Sequence, residues 1–127
     1  MTKVTKPARA IRVRRVYDAP EPGADGVRVL VDRLWPRGLS KEAAGVDEWP
    51  KAVTPSTELR KWFHGGGSAA EFRRRYEAEL AEPEAVAELA RLRSLVEAGP
   101  VTLLTAVHDP ESSHAAILAD RLGPEPA

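Results

Sequence analysis

Two stretches of the chain are almost continuously apolar, residues 27–31 (VRVLV) and residues 101–107 (VTLLTAV). Their β-branched residues are typical of strands that are buried on both faces. Residues 11–17 instead alternate apolar side chains with arginines, which is the pattern of a half-exposed strand. The sequence therefore predicts three strands, two of them deeply buried.

Helical spacing dominates between the second and third strands. Ser40 and Ser56 are suited to cap two short helices, the second of which ends at the glycines of 65–67. Two longer helices are predicted at 69–81 and 83–98. The apolar stripes that they would bury are Ala69, Phe72, Tyr76 and Leu80 in the first helix and Ala85, Leu89, Leu92 and Val96 in the second.

A final helix is predicted after the third strand. Asp109 is suited to cap this helix, Pro110 suits its first turn, and Gly123 marks its end. The order along the chain is therefore strand, strand, several helices, strand and helix.

The helices between the two apolar strands form a long crossover, and such crossovers join parallel strands. We therefore expect the two apolar strands to be parallel neighbours in the middle of the sheet. Because both faces of these strands are apolar, helices must cover both sides. The predicted fold is a three-layer α/β domain with a small, mainly parallel central sheet flanked by helices. Residues 1–127 are expected to form one such domain, with an ordered core at about 11–122 and flexible tails at 1–10 and 124–127.

The composition is typical of a soluble globular protein. Of 127 residues, 43% are hydrophobic and 30% are charged. No apolar run approaches the ~20 residues that span a bilayer, and the first residues lack an apolar signal core. We therefore expect a cytoplasmic protein without membrane contact. The sequence contains no cysteine, which excludes disulfides, thiolate metal sites and a cysteine nucleophile.

Charge is balanced overall but divided unevenly along the chain. The 19 basic and 19 acidic residues cancel, whereas residues 1–61 carry a net charge of +5 and the remainder a net charge of −5. A basic face in the first half could contact nucleic acid. Zero net charge and the lack of a basic recognition helix disfavour that interpretation. The arginines that would form this face are Arg12, Arg14, Arg15, Arg28 and Arg37.

Polar side chains follow both apolar strands at the point where each strand ends. Asp32 and Arg33 follow the first strand, and His108 and Asp109 follow the second. If the two strands are parallel neighbours, these four side chains converge on one edge of the sheet, beyond the carboxyl ends of the strands, where open α/β sheets bind ligands. A purely structural alternative is a salt bridge between Asp32 and Arg33, with Asp109 serving only as a helix cap.

An anion site is predicted at the same edge. Arg33 and Arg37 can supply planar guanidinium groups, and Ser112 and Ser113 offer hydroxyls near the start of the last helix. His114 follows directly and could transfer protons there. These features predict a site for an anionic small molecule.

The predicted catalytic groups are Asp32, His108 and His114. Asp32 would hold an arginine or act as a base, and either histidine would move protons. The sequence lacks the glycine-rich phosphate loop, the dinucleotide-binding fingerprint, the serine nucleophile elbow and the HExxH zinc motif. The spacing HDPESSH matches no zinc site, so we expect neither a metal nor a cofactor.

Several segments between residues 11 and 122 closely resemble the sequences of one protein family. These segments are IRVRRVYD, VRVLVDRLWPRGLSKE, WPKAVTPSTELRKWF, FRRRYEAEL and VTLLTAVHDPESSHAAILADRL. They are similar to the family called domain of unknown function 488, in its short YeaO-like branch. The resemblance implies a bacterial cytoplasmic α/β protein, in a family with no firmly established activity.

The resemblance also bears on the site. Longer members have an Asp-x-Arg sequence at a strand end and a late Cys-His-Arg sequence. Asp32-Arg33 corresponds approximately to the first, and Ser113-His114-Ala115 to the second. The histidine is retained, whereas the cysteine and the following arginine are replaced, so a thiol mechanism is excluded for this chain.

Three functional hypotheses remain open. The favoured one is binding of, or action on, an anionic small molecule such as a phosphate-bearing compound, and the sequence leaves open whether the protein is an enzyme. The second is a nucleic-acid-binding regulator that uses the basic face. The third is a non-catalytic interaction module with Trp49 and Trp62 as exposed anchors.

Overall fold

Three parallel strands form the sheet in the computed structural model, which describes residues 11–123. The strands are β1 (Ile11–Arg15), β2 (Val27–Leu30) and β3 (Val101–Thr105), and their order in the sheet is β1-β3-β2. β2 and β3 are parallel neighbours, as predicted. The predicted tails at 1–10 and 124–127 lie outside the described residues.

The placement of both apolar strands in the middle of the sheet is wrong. Within the described residues β3 alone has a strand on each side, and β2 lies at an edge. The outer edge of β2 is instead covered by the chain near Glu48, because Leu30 N–H donates to the Glu48 carbonyl at 2.9 Å and Val29 forms an isolated bridge with Glu48. This coverage explains why β2 is apolar although it is not central.

Six helices and two short 3-10 turns complete the described chain. The helices are α1 (Pro22–Asp25), α2 (Lys41–Ala44), α3 (Thr57–His64), α4 (Ala69–Glu79), α5 (Pro83–Ala98) and α6 (His114–Leu122), and the 3-10 turns are Lys51–Val53 and Pro110–Ser112. α1 is not predicted from the sequence, because its segment is rich in Pro, Gly and Asp, a composition typical of loops. Ser40 and Ser56 cap α2 and α3 as predicted.

Helices cover both faces of the sheet, which confirms the three-layer α/β fold. α3 to α6 pack against one face, where Val29 and Leu103 join a large apolar core. On the other face, Leu30 and Leu104 lie against α2 and the loops around it. The second layer is thin, because α2 has only four residues.

Both tryptophans expected as exposed anchors are in fact half-buried. The indole N–H of Trp49 donates to the Asp32 carbonyl at 2.7 Å, and its ring packs edge-on against Trp35. Trp62 lies under the guanidinium group of Arg75 at 4.0 Å. Neither ring is therefore a protruding anchor.

The start of the last helix also differs from the prediction. Asp109-Pro110 opens a separate 3-10 turn, and the Asp109 side chain makes no capping hydrogen bond. Ser113 caps α6 instead, and its hydroxyl oxygen accepts a hydrogen bond from Ala115 N–H at 3.1 Å. One smaller difference is that Ala69 is exposed, while the rest of its predicted stripe is buried.

Candidate functional site

The side chain of Asp32 lies where β2 ends and binds three hydrogen-bond donors. Oδ1 accepts from the Thr105 hydroxyl at 2.7 Å and lies 2.9 Å from His114 Nε2. Oδ2 accepts from Ala106 N–H at 2.8 Å. The carboxylate therefore joins the ends of β2 and β3 to the first residue of α6.

The geometry also fixes one proton on His114. Nε2 lies 3.1 Å from the Val31 carbonyl oxygen as well as 2.9 Å from Asp32, and both neighbours are acceptors. Nε2 must therefore carry the hydrogen. Every buried side-chain N or O atom within residues 11–123 has a hydrogen-bond partner.

The ionised form of Asp32 is stabilised by these contacts. Burial by itself would raise the pKa of the carboxyl group, but the hydrogen bond and charge of His114, together with Ala106 N–H and the Thr105 hydroxyl, outweigh that effect. The pKa of Asp32 is therefore held below its ordinary value. A carboxylate that already accepts from three donors is better suited to holding the site in shape than to accepting a proton from a ligand.

A cleft of about 910 Å³ opens beside this carboxylate at the carboxyl edge of the sheet. The segments that follow all three strands contribute to it, as do α3, α4 and the first turns of α6. Asp32 and His114 lie in the lining. Such a position is where parallel α/β sheets generally bind ligands.

Large apolar side chains are unusually accessible in the cleft. Four large hydrophobic residues are exposed in the described chain, and three of them line this cleft: Tyr17, Leu34 and Phe63, at 41%, 62% and 38% exposure. A concentration of exposed apolar side chains in one concave surface is more typical of a binding site than of ordinary protein surface.

Charged side chains of both signs line the same cleft. Arg37 and Arg60 have no carboxylate within 4.0 Å in the described residues, whereas Arg73 is paired with Glu77 and Asp120. Asp109 and Glu111 lie in the wall that follows β3. The cleft therefore offers two unpaired guanidinium groups but is not uniformly cationic.

The structure separates the predicted site residues into two groups. Asp32, Arg37, Ser112, Ser113 and His114 all line the cleft, and Asp109 does so as well. The hydroxyl of Ser113 is engaged within the protein, since it donates to the Pro110 carbonyl at 2.7 Å in addition to capping α6.

Arg33 and His108 do not line the cleft. The guanidinium group of Arg33 donates to the carbonyls of Thr54 and Pro55 at 3.2 and 3.1 Å, so it fixes the segment before α3. His108 is exposed outside the lining. The alternative of an Asp32–Arg33 salt bridge is also wrong within the described residues, because Asp32 pairs with His114 instead.

The basic N-terminal arginines are largely occupied by internal contacts. Arg12, Arg14 and Arg28 surround the fully buried carboxylate of Asp25. Arg15 donates to the carbonyls of Val107 and Ala106. The excess of positive charge in the first half of the sequence is therefore used mainly to neutralise and anchor neighbouring segments.

Sequence reasoning missed several residues of the cleft. Phe63 is an apolar residue four positions after Leu59, a spacing typical of one buried helix face, but Leu59 is buried and Phe63 is exposed. Arg60 and Tyr17 lie within segments that resemble the family, but neither belongs to a recognised catalytic or binding motif. The three-residue spacing of Arg60 and Phe63 places both on one face of α3. The spacing does not show that this face borders a cleft.

Two further findings concern metals and membranes. Within 11–123 no three His, Asp or Glu side chains converge in a way that could hold a metal ion. Among the helices of this described part, none has the length and apolarity needed to cross a bilayer.

The chain is a small three-layer α/β protein, because helices cover both faces of its parallel sheet. Its cleft lies at the carboxyl ends of the strands, where such proteins bind ligands. The family described as "Inactive DUF488-N3 subclade" matches residues 10–126. The chain belongs to the DUF488 family, in its YeaO-like branch, which confirms the resemblance seen in the sequence.

Relatives match almost the whole chain. It is 50% identical over 113 residues to "Uncharacterized protein YeaO" of Escherichia coli K12, covering 88% of this chain and 96% of that protein. It is 46% identical over 113 residues to "Uncharacterized protein Rv3073c" of Mycobacterium tuberculosis H37Rv, covering 88% and 92%. No solved structure matches the chain significantly.

Proposed function

We propose that this protein binds a small anionic molecule with an apolar body in the cleft at the carboxyl edge of the sheet. The observation that carries the proposal is the coincidence, in one cleft, of exposed apolar side chains with two guanidinium groups that have no carboxylate partner among residues 11–123. A volume of about 910 Å³ suits a small ligand rather than a macromolecule.

The charge pattern favours one negative group rather than many. Arg37 and Arg60 can donate paired hydrogen bonds to a carboxylate or phosphate oxygen. Asp109 and Glu111 line the same cleft and would repel a polyanion such as a nucleic acid. Internal pairing of Arg12, Arg14 and Arg28 also leaves less positive charge for phosphate contacts.

Binding without catalysis fits the chemistry of the side chains better than turnover. The hydroxyl of Ser113, at the position of the cysteine in longer family members, is engaged on both sides as donor and acceptor. Asp32 is saturated by three donors, so it and His114 act in this proposal as the rigid floor of the cleft. The description of the matched subclade as inactive is consistent with this role.

Isothermal titration calorimetry with two matched molecules tests the proposal. The molecules are 2-naphthoate and 2-naphthalenemethanol, which share an apolar body and differ in the anionic group. We expect the acid to bind about tenfold more tightly, because a charge-assisted hydrogen bond contributes about 1.5 kcal/mol. Arg60→Ala and Arg37→Ala should each weaken binding of the acid about fivefold.

The control variant is Arg74→Ala, since Arg74 is exposed on α4, is paired with Glu71 and does not line the cleft. It should bind the acid with the affinity of the unmodified protein. Equal affinity for acid and alcohol, or binding of neither at millimolar concentration, would contradict the proposed function.

A further inference from the structure

The aromatic residues of this chain are concentrated in the cleft. The whole sequence has three Trp, two Tyr and two Phe, and four of these seven line the cleft: Tyr17, Trp35, Phe63 and Phe72. Because aromatic residues make up only 6% of the chain, this concentration distinguishes the cleft from the rest of the surface.

Aromatic rings form a continuous row from the rim of the cleft to its floor. The ring centroids of Phe63 and Phe72 are 4.6 Å apart, and those of Phe72 and Tyr76 are 5.9 Å apart. Tyr76 then meets the imidazole of His114 edge-on at 6.3 Å. The outermost ring, Phe63, is 38% exposed, so the row ends in a ring that a ligand can reach.

A cationic group lies on the same helix face as this reachable ring. Arg60 precedes Phe63 by three residues on α3, and residues at that spacing are neighbours, with Cβ atoms about 5–6 Å apart. Both side chains line the cleft. One helix face therefore presents a hydrogen-bonding cation beside an accessible aromatic ring.

We infer that the apolar body of the ligand is a planar aromatic ring, packed against Phe63 with its anionic group directed to Arg60. This inference rests on the proposed function and specifies the ligand class as small aromatic monoanions. Ring pairs in offset or edge-on packing gain energy beyond the buried area, because the positive edge of one ring meets the negative face of another. A saturated body of the same shape buries a similar area but lacks this interaction.

The competing interpretation is that any apolar anion suffices. Leu34, Val107 and Ile117 also line the cleft and would contact an aliphatic ligand equally well. The two interpretations predict different orders of affinity for a matched pair of acids, so they can be separated.

Calorimetric titration with 2-naphthoate and decahydro-2-naphthoate makes the comparison. The two acids share a carbon skeleton and a carboxylate, and the saturated acid is at least as hydrophobic. We expect the aromatic acid to bind about threefold to tenfold more tightly, the range that aromatic pairing contributes. In Phe63→Leu, which keeps an apolar side chain but removes the ring, the ratio of the two affinities should fall below twofold.

The control is Val86→Ala, which alters an exposed apolar residue of α5 that does not line the cleft and should keep the full ratio. Equal or tighter binding of the saturated acid would overturn the aromatic inference while leaving the proposed function intact. A Phe63→Leu variant that weakens both acids equally would also overturn it. Binding of neither acid would instead contradict the proposed function itself.

Discussion

Replacing Asp32 by asparagine isolates the contribution of the carboxylate that joins the two strands to the last helix. Asparagine has one acceptor oxygen where aspartate has two, while the donors from Thr105, Ala106 and His114 remain. In one amide orientation the NH₂ group faces Ala106 N–H. In the other it faces His114 Nε2–H, which then keeps only the Val31 carbonyl as an acceptor, so either orientation removes at least one hydrogen bond.

The expected loss of stability follows from these bonds. An unsatisfied buried donor costs about 1–3 kcal/mol, and loss of the negative charge weakens the remaining bonds. Asp32→Asn should therefore lower the free energy of unfolding by about 2–3 kcal/mol. For a domain of this size, where 1 kcal/mol corresponds to about 4 °C, Tm should fall by about 8–12 °C.

The assay is urea unfolding and thermal melting of Asp32→Asn beside Asp109→Asn. Asp109 undergoes the same chemical change at the same end of the sheet, but its side chain is exposed and caps no helix. Its substitution should change stability by less than about 0.5 kcal/mol. If Asp32→Asn is equally silent, the hydrogen bonds of Asp32 do not stabilise the edge, and the reasoning is refuted.

The same variant carries a pH signature. Because the pKa of the Asp32 carboxyl group is lower in the folded than in the unfolded protein, its stabilising contribution is complete above the unfolded value of about 3.9. The contribution is lost as the pH falls through the folded-state pKa. The stability gap between the unmodified protein and Asp32→Asn should therefore be full at pH 6 and narrow below about pH 4. A gap that widens towards acid pH would contradict the assigned direction.

Three further predictions concern neighbouring features. Arg33→Ala should lower Tm by about 4 °C yet keep the affinity for 2-naphthoate within twofold, because Arg33 binds backbone carbonyls outside the cleft. Arg37→Ala should weaken binding of 2-naphthoate but leave Tm unchanged, since Arg37 lines the cleft, and identical behaviour of the two variants in melting and calorimetry would contradict this division. Asp25→Asn should cost at least about 3 kcal/mol in urea unfolding, because it leaves buried arginine charge unpaired, and a loss below 1 kcal/mol would argue against that network. Gly26→Ala should lower the free energy of unfolding by more than about 2 kcal/mol, because the new Cβ would lie 2.0 Å from the Pro100 carbonyl oxygen. Gly38 also has a positive φ but lies in open space, so Gly38→Ala should lower it by only about 1 kcal/mol, and equal melting temperatures of the two variants would refute the clash.

The parallel pairing of β2 and β3 was predictable because it depends on local apolarity and on the length of the crossover. The sheet order was not, since β1 pairs with a strand far along the sequence, Ile11 with Val101, and no local pattern selects that partner. Nothing in VRVLV separates a strand covered by another strand from one covered by the loop at Glu48.

The site residues whose positions follow from the strand ends were predictable from the sequence. The residues whose contribution depends on the direction of the side chain were not. Asp32 and His114 meet because Asp32 follows the end of β2, while the segment after β3 leads to the start of α6 at the same edge of the sheet. Arg33 turns away because the carbonyls of Thr54 and Pro55, more than twenty residues later, accept its hydrogen bonds, and no local pattern encodes them. The predicted start of α6 was wrong because Asp109-Pro110 and Ser113 are both favourable at the start of a helix, and the sequence does not show which of them caps α6.

Amide NMR spectra recorded during a titration with 2-naphthoate test most directly whether the cleft is the binding site. The expected result is saturable shifts confined to the amides of the cleft, including Phe63, His114 and the Arg37 loop, with residues near Asp25, at the amino ends of the strands, unchanged. Shifts centred on Asp25 and β1, or spectra without change at millimolar ligand, would show that the cleft does not bind such an anion.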